Sequence, residues 1–221
     1  VKVTLVSYSQ PSPELQAQGI KNAQELVAYC ARVSNPSNQH NTDTSEKLIR
    51  YLVKHGHWSP LEMVSVCLEI ETTRDIARQI LRHRSFAFQE FSQRYAVADV
   101  EFETRDARLQ DDTNRQNSVV TEDEGLKRHW EQQQQQVQAY ARSAYQWALA
   151  RGIAKEQARA VLPEGMTASR LYMQGTLRSW VHYIELRSGN GTQLEHQHIA
   201  EACATALEPI FPMIREFVAT E

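Results

Sequence analysis

Between Thr73 and Tyr95 the chain reads TRDIARQILRHRSFAFQEFSQRY, a stretch dense in groups that bind anions. Arg74, Arg78 and Arg82 recur at i, i+4 and i+8, so a helix sets their guanidiniums on one face and Ile76 and Ile80 on another. Like charges at that spacing cost roughly 0.2–0.5 kcal/mol per pair unless something neutralises them, and Asp75 is the carboxylate close by in sequence. His83 and Arg84 add donors where a helix C-terminus tolerates cations. Gln89, Glu90, Ser92, Gln93 and Arg94 then supply amide, carboxylate, hydroxyl and guanidinium together. Such a set can bond a phosphate and the edge of a base at once. Residue types alone leave three readings open: a solvated basic face, arginines that bridge subunits, or a site for a phosphorylated ligand.

Composition narrows the choice. The 24 basic residues divide into 18 Arg and 6 Lys, a bias toward the planar fork that grips carboxylates and phosphates. The net charge of −3 argues against a nucleic-acid-binding module, and no nucleic-acid partner is expected. None of the 8 glycines forms GxGxxG or GxxxxGK[ST], so side chains must hold any phosphate. Cys30, Cys67 and Cys203 include no CxxC, which excludes a disulfide framework and a cysteine zinc site and leaves them as small core residues. His196 and His198, two apart on an expected helix, point away from each other, and no metal is expected. The opening VKVTLVSYS alternates like a strand rather than a signal peptide, and no run approaches a membrane span. The reading is a soluble cytoplasmic protein with no membrane partner.

The elements that must position these residues follow from periodicity. Strands are expected over 1–8 and 64–70, and a brief strand-like segment after Pro163. Helices are expected over 20–32, from an Asp43/Glu46 capping box to Val53 with Gly56 as terminator, and from Thr73 to Leu81. Thr121 with Glu124 opens a long helix to Arg151 that carries QQQQQ on a solvated face, and helices over 176–187 and 193–207 close the chain. Residues 85–95 are aromatic and irregular, and 99–118 form a polar connection. No linker or repeat interrupts the series. The expectation is a single α+β domain over 1–221, with a central, mostly antiparallel sheet flanked by long helices.

Arg82-His83-Arg84, seven residues, then Ser92 resembles the RHRx7S signature of the flavin-dependent thymidylate synthases, with Arg94 at the usual spacing. ARVS (31–34), HGHWSPLE (55–62), ARAVLP (158–163) and LRSWVHYIELR (177–187) extend the resemblance along the chain in family order. The resemblance implies a homotetramer with active sites shared between subunits and a bound FAD. It also implies a reaction: dUMP receives a methylene from 5,10-methylenetetrahydrofolate, reduced flavin supplies the hydride, NADPH reduces the flavin, and dTMP leaves.

By the same resemblance dUMP meets Gln79, Arg82, Glu90, Phe91, Ser92, Gln93, Arg94, Arg159 and Arg187. FAD meets Ser34, Ser59, Arg82, His83, Arg84, Glu90, Thr176, Leu177, Arg178 and His182. Arg187, Ser92, Arg94 and His57 are the expected catalytic group. Arg187 would polarise the uracil edge, His57 would sit near the flavin and the folate or nicotinamide, and Ser92 reads better as a positioning donor than as an unactivated nucleophile. Tyr172, Trp180 and Tyr183 read as core or interface packing. The apolar neighbours of all three cysteines fit a mechanism without a thiolate. Two positions depart from some members, which carry Asn at Thr176 and His at Gly191, and residues 105–118 match nothing in the family pattern.

Overall fold

The computed structural model describes residues 1–219. The chain runs β1 (Lys2–Tyr8), α1 (Pro13–Ala17), α2 (Ala23–Ala31), α3 (Ser45–Lys54), β2 (Ser65–Thr73), α4 (Arg74–Ile80) and β3 (Ala87–Glu90). It continues through β4 (Arg108–Gln110), β5 (Ser118–Val120), α5 (Glu124–Ala150), α6 (Lys155–Ala158), β6 (Ala168–Thr176), α7 (Leu177–Ser188) and α8 (Leu194–Leu207). The sheet has the order β1-β2-β6-β3 with every pair antiparallel, and β4 and β5 form a separate hairpin.

Alternation makes the two central strands. Val66, Leu68 and Ile70 of β2 and Leu171 and Met173 of β6 are buried on one face, while Cys67, Glu69, Tyr172 and Gln174 take the other. A one-residue slip would put Glu69 and Arg170 into the core, so the register is strongly specified. The buried face meets Trp180, Val181 and Ile184 of α7 and Ile199, Ala200 and Cys203 of α8. Trp180 can be fully buried because its indole N–H donates to the Val66 carbonyl at 3.1 Å. A second apolar cluster of Ala98, Tyr145, Ala148, Ala158 and Leu162 holds the segment after β3 against α5 and α6. There the Tyr145 hydroxyl accepts from the Ala98 N–H at 2.9 Å.

Several local expectations change. The third helix is capped by Thr44, without a side-chain bond, rather than by an Asp43 capping box. Asp123, not Thr121, caps α5, its carboxylate accepting from the Leu126 N–H at 3.0 Å. Asn22 caps α2, so that helix starts at Ala23 rather than Ile20. Gly56 and Gly152 do end their helices at positive φ, 72° and 76°. The brief segment after Pro163 is a nine-residue central strand, and the polar connection contains the β4–β5 hairpin.

One glycine ties sheet to helix. A Cβ on Gly175 in β6 would lie 2.5 Å from Cδ1 of Phe86, whose ring packs edge-on against Trp180 at 4.8 Å. Gly175→Ala is therefore expected to lower stability by about 1–3 kcal/mol through overpacking, read as a lower urea midpoint at unchanged m. An unchanged midpoint would show that Phe86 gives way freely.

Candidate functional site

The site is assembled along α7. Thr176 caps it, its hydroxyl accepting from the Ser179 N–H at 3.4 Å. Leu177 is fully buried, and its N–H donates to the Val64 carbonyl at 2.9 Å. Both were expected at the flavin. That expectation covers backbone or side-chain contacts; the Leu177 side chain belongs to the core and the Thr176 hydroxyl is engaged in starting the helix, so a flavin contact there would come from the backbone. Farther along α7, Arg178 and His182 are exposed and Arg187 is half-buried near the C-terminus.

α4 ends at Ile80, and the chain turns through 81–85 before β3, which places the Arg82-His83-Arg84 signature beside α7. The Arg187 Nε–H donates to His83 Nε2 at 2.9 Å. Accepting from a guanidinium requires a neutral ring that keeps its proton on Nδ1. Burial, then the charges of Arg187 and Arg82, lower the His83 pKa to about 4. The ring also meets Tyr183 edge-on at 4.9 Å.

Behind His83 runs a polar chain, buried at Tyr183 and His196 and half-buried at Gln79, Gln193 and Glu195. The Tyr183 hydroxyl donates to His196 Nε2 at 3.1 Å, and His196 Nδ1–H donates to Gln79 Oε1 at 3.2 Å. Gln79 Nε2 donates to Gln193 Oε1 at 2.8 Å, and Gln193 Nε2 to Glu195 Oε2 at 2.9 Å. Burial, reinforced by Arg187 and His83, lowers the His196 pKa to about 3, and burial pushes the Tyr183 phenol well up. His196 is buried and His198 exposed, as the i, i+2 spacing requires. Residue types alone give His196, Gln193 and Glu195 no role here. The available signal was the i, i+3 placement of Gln193 and His196 at the start of α8.

The arginines of the stripe and of the expected site divide into two populations. Arg74 is buried, with Nη1 at 3.5 Å from Glu90 and Nε at 3.7 Å from Glu164, while Arg78 donates two hydrogen bonds to Glu164. The first two members of the stripe are thus neutralised within the chain. Glu90, expected at both flavin and nucleotide, is held by Arg74 and by the Ser169 hydroxyl at 2.8 Å. Arg178 pairs with Glu62, and Arg94 lies 3.8 Å from Glu156, both exposed and weak pairs. Arg82, Arg84, Arg159 and Arg187 have no carboxylate partner within 4 Å among the described residues, in contrast with the paired arginines.

Hydrogen bonds and ring contacts sort the expected residues into three groups. Gln79, His83 and Arg187 join through Tyr183 and His196. His182 packs on Trp58 at 4.4 Å, next to exposed His57 and Ser59 and the Glu62–Arg178 pair. The Ser179 hydroxyl ties α7 to the signature loop through the Ser85 carbonyl at 3.3 Å. In the third group Arg159 donates to the Glu156 carbonyl at 3.3 Å, Arg94 faces the Glu156 carboxylate, and Lys155 donates to the Tyr95 carbonyl at 3.0 Å. There the Phe91 N–H donates to the Arg170 carbonyl, Ser92 is exposed, and Gln93 is buried with Nε2 unpaired among the described residues. Ser34 is exposed ahead of the turn over Pro36–Asn38.

A permanent cation against a neutral imidazole, with a carboxamide fixed nearby, can stabilise negative charge developing on a polar heterocycle. The two histidines also set a pH dependence. Above about pH 6.5 both are neutral whether the chain is folded or not. Below it the unfolded chain takes up protons that the folded rings resist down to about 4 and about 3, so stability falls as pH drops through that window. Urea midpoints should decline from about pH 6.5 downward, less steeply in His196→Gln. Equal slopes for the two proteins would contradict the buried neutral state of His196.

Comparison with known proteins identifies the family. The family model described as thymidylate synthase complementing protein, Thy1, matches residues 15–213. A probable flavin-dependent thymidylate synthase of Paramecium bursaria Chlorella virus 1 is 48% identical over 210 residues, covering 95% of each chain. A flavin-dependent thymidylate synthase of Synechocystis is 47% identical over 212 residues, covering 96% of each. The crystal structure of the UMP/dUMP methylase PolB from Streptomyces cacaoi, bound with 5-Br dUMP, superposes with a TM-score of 0.82 at 27% identity over 98% of this chain and 93% of that one. With the signature loop, the α7 segment and the sheet that joins them all in place, the chain belongs to the Thy1 family.

Proposed function

We propose that this protein is a flavin-dependent thymidylate synthase: it methylates dUMP reductively to dTMP, taking the methylene from 5,10-methylenetetrahydrofolate and the hydride from NADPH through FAD. The observation that carries the reading is the division of the arginines. Arg74 and Arg78 are neutralised by carboxylates, while Arg82, Arg84, Arg159 and Arg187 keep their charge for an anionic ligand.

The donor set fits FAD. Its pyrophosphate needs cations in the absence of a glycine cradle, and the exposed guanidiniums of Arg82 and Arg84 flank His83. Ser34, Ser59 and His182 are exposed polar groups available to the same ligand, and Arg178 becomes available when it exchanges Glu62 for phosphate. When bound, the flavin supplies the hydride chemistry that no side chain provides.

Arg187 has the electrostatic task. Its Nε is spent on neutral His83, which orients the guanidinium and leaves the Nη donors for the uracil edge. There it stabilises negative charge as the ring loses its N3 proton. Gln79 offers a fixed carboxamide to the nucleotide. Arg94, Arg159 and Ser92 supply phosphate donors, and the orphaned Gln93 Nε2 is a further donor that a nucleotide or a neighbouring chain would satisfy. Glu90 acts indirectly, holding Arg74 and Ser169. His57 stands on the exposed rim beside Trp58, suited to a planar co-substrate.

No thiol suits the alternative chemistry, in which a cysteine attacks the pyrimidine ring. Burial raises the pKa of Cys30 and Cys67, and complete burial raises that of Cys203 further.

The reading extends to a homotetramer of single-domain subunits, residues 1–221, with shared sites in the cytoplasm. Leu126, Trp130, Val137, Tyr140 and Trp147 form an exposed apolar stripe along one face of α5, a surface that association would bury. A nucleotide bridging the first and third groups from different subunits would join two sets that no side-chain hydrogen bond links within one chain among the described residues. Among the described residues no helix is long and apolar enough to cross a membrane.

The purified protein should be yellow, or become so on reconstitution with FAD, and its flavin absorbance should bleach on NADPH addition, faster with dUMP present. Protein that cannot be loaded with FAD would overturn the proposal. Arg187→Lys is expected to retain FAD while dTMP formation falls by about 10²–10³. Near-normal turnover would refute the role given to Arg187. Replacing Cys30, Cys67 and Cys203 together by Ala should leave the chemistry of the folded protein intact; its selective loss would revive a thiol mechanism.

A further inference from the structure

The polar chain behind His83 has a direction. Arg105 and Arg108, which lead into the β4–β5 hairpin, converge on Glu195 at 2.9 and 2.5 Å. Glu195 accepts from Gln193, Gln193 accepts from Gln79, and His196 donates to the other end of Gln79. His196 is 0% exposed; the Glu195 carboxylate, which only accepts, sets the amide order of Gln193 and Gln79, so Gln79 Oε1 makes Nδ1 the donor and Nε2 is left to accept from the Tyr183 hydroxyl.

A terminal carboxamide rotates readily unless both ends are held. Here Oε1 must face His196 and Nε2 must face Gln193, because the reverse orientation would set N–H against N–H at one end and oxygen against oxygen at the other. One N–H and one lone pair of Gln79 remain, in fixed order. We infer that His196 is a positioning residue for the nucleotide site: its Nδ1–H locks the Gln79 carboxamide so that its remaining donor and acceptor meet a nucleotide group that both donates and accepts. The inference rests on the reading that Gln79 contacts dUMP. The uracil N3–H/carbonyl edge and the deoxyribose hydroxyl share that chemistry.

The test uses the FAD-loaded protein and the change that dUMP causes in the flavin spectrum. His196→Asn places an amide N–H near the Nδ1 position, whereas His196→Gln reaches toward Nε2 and gives up the donor to Gln79. The expected result is dUMP affinity within about threefold of wild type for Asn and at least about tenfold weaker for Gln, with FAD retained in both. Equal affinities for the two variants would overturn the inference, since a merely structural histidine has no reason to separate them. Comparing dUMP with its 3′-deoxy analogue locates the contact: a split of equal size with both assigns the uracil edge, and a split confined to dUMP assigns the hydroxyl.

Gln79→Ala separates this inference from the reading beneath it. Weakened dUMP binding, with no further loss on adding His196→Gln, supports a His196 that acts through Gln79. Unchanged binding in Gln79→Ala would remove Gln79 from the nucleotide site and overturn the inference on that ground alone. Additive losses would mean that His196 acts by another route.

Discussion

An arginine can donate to a histidine only while that histidine is neutral, and the site is organised around this constraint. His83 lies in the signature loop and Arg187 near the end of α7, 104 residues apart, yet one 2.9 Å hydrogen bond joins them. Burial and the surrounding guanidiniums keep the imidazole uncharged. The bond therefore orients the guanidinium that is proposed to face the reacting ring, and it does so without neutralising it. A carboxylate in place of His83 would hold Arg187 as firmly but would cancel the charge that the proposed mechanism uses.

The sheet makes that bond possible. β2 runs into α4 and β6 runs into α7, and the two strands pair antiparallel from Ser65↔Thr176 to Thr73↔Ala168. The helices consequently start from opposite ends of the ladder. Phe86 pressing over Gly175 and the Ser179–Ser85 contact then draw the signature loop onto α7. Carboxylates remote in sequence complete the electrostatics by engaging Arg74 and Arg78, which leaves Arg82 as the member of the stripe without a carboxylate partner among the described residues.

Some of this was legible in the residues. The spacing of Arg82, His83, Arg84 and Ser92 carried the family, and the α+β class and long helices followed from periodicity and glycine terminators. The fate of the arginine stripe was not. The helical pattern shows Asp75 beside it, but Glu164 and Glu90 arrive only through the tertiary fold. β6 was under-read because its outward residues, Arg170, Tyr172 and Gln174, mix polar and aromatic character, and its central place depends on pairing with both β2 and β3. The polar chain through His196 lay hidden for a similar reason: a lone histidine in a helix announces neither its burial nor its partners. The β4–β5 hairpin matched no pattern, yet its arginines brace Glu195.

The central claim is that Arg187, held by neutral His83, faces the pyrimidine of dUMP. The most direct measurement is a crystal structure of the FAD-loaded protein with dUMP bound. The account predicts the uracil edge within hydrogen-bond distance of the Arg187 guanidinium, with the Arg187–His83 bond intact. A nucleotide bound without contact to Arg187, or His83 turned away from it in the complex, would contradict the account.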